Sequence, residues 1–186
     1  MISAPPTRAS VVIFACVDDV RSWFKREAAQ RAIHSLASRD VPVVFVSTGP
    51  AQDILVAQQS LGVRQPFICA GGALLYVPAE YFGDLGTVGV RRDTWRVVEF
   101  DVRHDPGPAI GLLVSLYRMS NEEVVVVGLG RERADAVLLH QVEVPIVVRH
   151  DSIDQTSLMR EFPSAYWTSA QALDGWLEAV FGSGGE

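Results

Sequence analysis

The chain has 186 residues, of which 48% are hydrophobic and 20% are charged, a composition typical of a globular protein. This length suffices for one domain and is short for two. The net charge of −6 and the sequence pI of about 5.2 argue against nucleic acid or an anionic membrane as a partner. No stretch has the pattern of a signal peptide or a membrane span, so we expect a cytoplasmic protein.

The predicted fold begins with an apolar run that ends in two carboxylates. Residues 11–17 are all apolar, and Asp18 and Asp19 follow them directly. Such a run predicts a strand that is buried on both faces of a parallel sheet. Because open α/β sheets bind their ligands at the carboxyl ends of the strands, we expect any ligand site to be centred here.

Helix-like and strand-like segments alternate along the rest of the chain. Apolar residues at three- and four-residue spacings predict helices over 23–39, about 50–61 and 109–118, a short helix through 138–139, and a closing helix from 169 or 170 to 181. Apolar runs predict strands over 41–46, 66–70, 73–77, 95–102, 123–129, 144–148 and 166–167, and 149–161 is predicted to be a polar loop. This alternation indicates a doubly wound, mostly parallel α/β sheet.

Polar loops follow three of these strands, at Asp18-Asp19, at Ser47-Thr48 and at 130–135. In this order and spacing the chain resembles the haloacid dehalogenase (HAD) phosphatase superfamily, and most closely the mannosyl-3-phosphoglycerate phosphatases. The likeness extends over residues 41–48, 66–78, 128–139 and 175–180. It implies a HAD-like, Rossmann-like three-layer sandwich.

The resemblance also implies a reaction. Such enzymes attack phosphate with the first aspartate of a D-x-D-G-T pattern, and the covalent intermediate divides one hard displacement into two easier steps. The second aspartate is the acid and base, a Ser or Thr holds a phosphate oxygen, and a lysine offsets charge. A G-D-x-x-N-D loop helps to hold Mg²⁺, a cation that prefers oxygen ligands.

The nucleophile position of this pattern is occupied by Cys16. Asp18 then lies at the acid/base position, and Asp19 replaces the glycine. Moving the register by two residues does not restore the pattern, because Val20 and Arg21 follow. We expect Cys16 to be an inert thiol within a strand, without the anion cradle that activates catalytic cysteines.

The hydroxyl position is held by Thr48, or by Ser47 if the register slips by one residue. Together with Gly49, these residues predict an anion cradle at the start of the second helix. The lysine position is occupied by Pro106, and Lys25 is the only lysine in the chain.

The metal loop departs from the pattern as well. Arg131 stands in place of the first aspartate, Ala134 replaces the asparagine, and Asp135 remains. The resemblance therefore leaves Asp18 and Asp135 as a vestigial metal site. We expect no cofactor, or Mg²⁺ if catalytic activity is retained.

The length leaves little room for the cap domain of the family. We expect a single HAD-like core over residues 1–181, in which 79–105 is a short remnant of the cap, and a disordered tail over 182–186. Without a cap, the apolar segment 73–77 is a candidate homodimer surface, unless it is buried locally.

These departures predict a capless pseudoenzyme that binds a phosphorylated ligand, such as a sugar phosphate or inorganic phosphate, or a protein partner. Arg131 favours a metal-independent anion site with Thr48 and nearby N–H groups, although pairing with Asp18 or Asp135 would instead block it. The alternative function is a minimal phosphomonoester hydrolase that uses Asp18 in a rearranged site.

Overall fold

The structure is a computed structural model that describes residues 9–17, 22–23, 25–83, 88–102, 104–150 and 155–182. Asp18, Asp19 and the expected disordered residues 183–186 lie outside this part of the chain. The described strands are β1 (Val11–Cys16), β2 (Val43–Val46), β3 (Phe67–Cys69), β4 (Leu74–Pro78), β5 (Val90–Arg92), β6 (Trp95–Glu99), β7 (Val125–Gly130), β8 (Val144–Arg149) and β9 (Tyr166–Gln171). The α-helices are α1 (Glu27–Ala37), α2 (Ala51–Leu61), α3 (Gly107–Ser120), α4 (Ala136–Leu139), α5 (Thr156–Glu161) and α6 (Ala172–Phe181).

These strands form one sheet in the order β5-β6-β4-β3-β2-β1-β7-β8-β9. Strands β3, β2, β1, β7, β8 and β9 are parallel to their neighbours in this series. The chain winds outward from β1 in one direction and then returns to its other side at β7, which is the topological switch of an open α/β sheet. The predicted doubly wound sheet is confirmed.

Strand β1 is buried on both faces, as its apolar run predicted. Val12 and Phe14 belong to one buried cluster, whereas Ile13 and Ala15 belong to the other. Helices α1, α2 and α6 contribute to the second cluster, and α3 covers the first. The molecule therefore has three layers, with β1 in the middle layer.

The region between β4 and α3 differs most from the predicted arrangement. It contains β6 and β5, which extend the sheet in antiparallel fashion beyond β4. Strand β4 therefore lies inside the sheet, where Leu75 and Val77 are fully buried and Tyr76 stacks on Phe67. Residues 73–77 are therefore buried or half-buried between β3 and β6, which is the local burial that the sequence left as the alternative to a homodimer surface.

Two further elements differ from their predicted form. Helix α5 occupies part of the predicted polar loop 149–161, and it packs through Leu158. Helix α1 begins at Glu27, later than predicted, but the four apolar positions that predicted it are all buried. None of the described helices is long and apolar enough to cross a membrane.

Candidate functional site

The carboxyl ends of the parallel strands lie at one edge of the sheet, where the turn after β3 meets the start of α3. A short 3₁₀ turn, Ala70–Gly72, follows β3 and lies directly against this helix start. A Cβ atom on Gly72 would lie 2.4 Å from Cα of Pro106, and the φ of Gly72 is +97°. Only glycine fits this position, and the close approach of Gly72 to Pro106 holds Pro106 beside the turn.

A cavity of about 170 Å³ opens at this edge, between the ends of β1, β7 and β8 and the start of α6. Cys16 and Val17 contribute the end of β1, and Arg131 contributes the loop after β7. Arg26 adds a second guanidinium group from the segment before α1. The rest of the described lining is mainly apolar and consists of Ser22, Trp23, Leu129, Gly130, Val148, Ala172, Leu173 and Trp176.

The loop after β7 is held by the side chain of Asp135. Its Oδ2 accepts hydrogen bonds from the backbone nitrogens of Arg131 at 2.7 Å and of Glu132 at 3.0 Å. The side chain of Glu132 in turn accepts a hydrogen bond from the backbone N–H of Asp135, which completes a capping box. A Cβ atom on Gly130 would lie 2.7 Å from Cβ of Asp135, so glycine is required where the loop turns. The carboxylate of Asp135 is therefore committed to folding its own loop.

Arg131 lines the cavity with a side chain that is 32% exposed. One of its guanidinium nitrogens lies 3.2 Å from Oε1 of Glu132, the neighbouring residue. Asp135, the partner that the sequence suggested, binds the backbone N–H of Arg131. The other suggested partner, Asp18, lies outside the described residues.

The predicted phosphate cradle after β2 is not part of this cavity. Ser47 is buried, and its Oγ accepts the N–H of Gly49 at 3.1 Å. Thr48 is exposed. Because the Gly49 N–H already has an acceptor and none of these three residues lines the cavity, the structure does not unite them with Arg131 there.

The described residues at this edge do not fit a Mg²⁺ ion. Among the described residues, the cavity lining includes two arginines and no carboxylate, and Oδ2 of Asp135 already accepts two backbone hydrogen bonds. Among the residues that the structure describes, no group of three or more His, Cys, Asp or Glu side chains could hold a metal. A hard cation prefers oxygen ligands, whereas this lining is suited to an anion.

Three residues that line this cavity do not directly follow a parallel strand in the sequence, and the sequence analysis did not predict them as site residues. Arg26 and Trp23 come from the segment before α1, and Trp176 comes from α6. In the sequence Trp176 has the ordinary appearance of a core residue on an amphipathic helix. Only the packing of α6 beside the end of β1 shows that it reaches the cavity.

Comparison with solved structures reveals the same architecture in several hydrolases. The haloacid dehalogenase-like hydrolase yhjK of Bacillus subtilis superposes with a TM-score of 0.55 at 7% identity, over 96% of this chain and 94% of that one. The cobalt-bound deoxy-D-mannose-octulosonate 8-phosphate phosphatase of Haemophilus influenzae gives a TM-score of 0.53 at 12% identity, over 94% and 88%. An analogue of the phospho-aspartyl intermediate of phosphoserine phosphatase gives a TM-score of 0.53 at 11% identity, over 93% and 99%.

Neither a protein-family model nor a curated protein matches the sequence. The similarity to the solved structures extends over nearly the whole chain. Because the sequence identities are low, it shows the fold alone. The chain therefore has the fold of the haloacid dehalogenase-like hydrolases.

Proposed function

We propose that this protein binds a phosphorylated small molecule in the cavity between β1, β7 and α6, without Mg²⁺ and without efficient hydrolysis. The observation that carries the proposal is that Arg26 and Arg131 both line this cavity, whereas no carboxylate does among its described lining residues. Phosphate groups are bound well by guanidinium groups, which offer several N–H donors in a planar fork.

The loop after β7 supports this role because it holds Arg131 before any ligand arrives. Asp135 fixes the backbone on which Arg131 is carried, through hydrogen bonds to Arg131 and Glu132. Preorganisation of this kind lowers the cost of ordering a side chain on binding. Glu132 competes with an anion for the guanidinium of Arg131, so we expect moderate affinity. Arg26 is exposed and, among the described residues, has no ion pair.

The loss of hydrolysis follows from Cys16 at the position of the aspartate nucleophile. Cys16 ends β1 and is only partly exposed. Thiol nucleophiles in phosphatases depend on an anion cradle that lowers the pKa of the thiol, and the sequence around Cys16 has no glycine-rich loop of that kind. The antiparallel strands β5 and β6 occupy the region where the sequence resemblance implies a cap, which supports a capless form.

Calorimetric titration with inorganic phosphate, with and without Mg²⁺, tests the binding. We expect binding that Mg²⁺ does not change, and at least a roughly tenfold loss of affinity in Arg131→Ala. Arg133→Ala is the matched control, because Arg133 is in the same loop, is exposed and does not line the cavity. Absence of binding in every condition would overturn the proposal.

A turnover assay tests the absence of hydrolysis. We expect no release of phosphate from p-nitrophenyl phosphate or from a panel of sugar phosphates in the presence of Mg²⁺. Turnover that is abolished by Asp18→Asn would instead support a minimal phosphomonoester hydrolase, related to the mannosyl-3-phosphoglycerate phosphatases that the sequence resembles.

A further inference from the structure

We infer that the cavity selects a phosphomonoester whose organic group is flat and apolar, such as an aryl group, over a sugar phosphate. This inference rests on the proposed phosphate binding and adds the class of ligand. It differs from the sugar phosphate that the sequence resemblance implies.

The apolar part of the lining is built from aromatic and aliphatic side chains. Trp23 and Trp176 meet edge to face, with ring centroids 5.0 Å apart and an interplanar angle of 77°. Trp23 also contacts Phe45 of β2 in a similar arrangement, at 5.7 Å and 65°. Leu173 and Val148 complete this surface and are buried. An aromatic ring placed here gains both burial and favourable contact with other rings.

The same lining has few groups that could bind the hydroxyls of a sugar. Ser22 is the only residue of the described lining with a hydroxyl, and the charged donors of that lining are Arg26 and Arg131. The Nε1 atom of Trp176 is buried and has no hydrogen-bond acceptor among the described residues, and because it has no accessible surface it offers a ligand no donor. The hydroxyls of a sugar would find few side-chain acceptors in the described lining, which opposes their burial there.

Ligands that share a phosphate group and differ in their organic part test this inference directly. Calorimetry on the intact protein would compare inorganic phosphate, phenyl phosphate and glucose 6-phosphate in metal-free buffer. Burial of a phenyl ring against Trp23 and Leu173 predicts that phenyl phosphate binds at least roughly tenfold more tightly than inorganic phosphate. Glucose 6-phosphate is expected to bind no more tightly than inorganic phosphate.

Two variants test whether Trp23 causes the preference for phenyl phosphate. Trp23→Ala should abolish the advantage of phenyl phosphate, so that the ratio of its affinity to that of inorganic phosphate falls to about one. Trp95→Ala is the matched control, because Trp95 is also half-buried but lies on β6, outside the cavity lining. If either variant fails to fold, the comparison of the three ligands on the unaltered protein still tests the inference.

The possible failures are distinguishable. Equal affinities for inorganic phosphate and phenyl phosphate would overturn the apolar subsite but leave phosphate binding intact. Tighter binding of glucose 6-phosphate than of phenyl phosphate would do the same and support a sugar ligand. If none of the three compounds binds, the proposed function and this inference both fall.

Discussion

The carboxylate of Asp135 lies 2.7 Å from the backbone nitrogen of Arg131, so it folds the loop that carries this arginine to the cavity. In the resemblance to metal-dependent phosphatases this aspartate would help to hold Mg²⁺. Here its carboxylate holds the loop that places the positively charged Arg131 in the cavity lining.

We therefore expect Asp135→Ala to lower the free energy of unfolding by about 1–2 kcal/mol, because two backbone N–H groups lose their acceptor. Phosphate binding should weaken as well, since Arg131 is no longer held. Asp135→Asn should have a smaller effect, because both bonds go to one oxygen, which an amide can replace. Urea denaturation measures the stability, with Asp101→Ala, at an exposed loop position, as the control. Unchanged stability in Asp135→Ala would contradict this account.

The hydroxyls of Tyr81 and Tyr117 form a buried pair 3.1 Å apart. Both residues are almost fully buried, with 4% and 3% exposure. Tyr81→Phe leaves the hydroxyl of Tyr117 without its partner, and we expect a loss of about 1–3 kcal/mol. Replacing both by Phe should cost less than the sum of the two single changes, because no polar group is then left unpaired. Additive losses in denaturation experiments would show that the pair contributes nothing of its own.

The same pair should make the protein sensitive to alkaline conditions. Burial raises the pKa of Tyr81 and of Tyr117 well above the ordinary value, since it disfavours the phenolate. The unfolded chain ionises these groups first, so their contribution to stability is present below about pH 10 and is lost as the pH rises above it. The free energy of unfolding should therefore fall as the pH rises above about 10, and fall less steeply in the variant with both tyrosines replaced. Equal slopes would contradict the prediction.

The two cysteines should differ in reactivity. Burial raises the pKa of the Cys69 thiol to about 12, and its side chain is fully buried. Cys16 is partly exposed and lines the cavity. We expect a thiol reagent to modify one residue per native chain at neutral pH, and Cys16→Ala to abolish that modification. Phosphate should slow the reaction, and rapid modification of Cys69 would show that β3 opens readily.

Trp176 offers a test of the energetics of the cavity wall. Trp176→Phe loses apolar contacts but also removes a buried N–H that has no acceptor among the described residues. We expect these effects to offset each other, so that the variant loses less than about 1.5 kcal/mol. Trp176→Ala should lose about 3–5 kcal/mol, because it leaves a cavity in the core. A loss in Trp176→Phe as large as in Trp176→Ala would indicate a strong bond to Nε1.

The fold could be predicted where burial leaves a clear pattern in the sequence. The continuous apolar run of β1 and the four buried positions of α1 are examples. Strand β5 was missed because all three of its residues are exposed and so leave no apolar period. Helix α5 was missed because only Leu158 is buried in its six residues.

The site could be predicted only in part, for a related physical reason. The expectation that ligands bind at strand ends predicted Cys16 and Arg131, and both residues line the cavity. This prediction was possible because parallel strands bring their carboxyl ends to one edge. It also suggested Thr48, which does not line the cavity. Trp23 and Trp176 reach the cavity through the packing of segments distant in sequence, and no local pattern marks such contacts.

The cavity is made from the end of β1 and the start of α6, two elements at opposite ends of the described chain. Bringing two elements of such large sequence separation together closes a long loop, which carries an entropic cost. The cavity therefore cannot exist in a partly folded intermediate that lacks α6. A bound ligand would stabilise the completed fold alone, and its occupancy would report whether the last helix has docked.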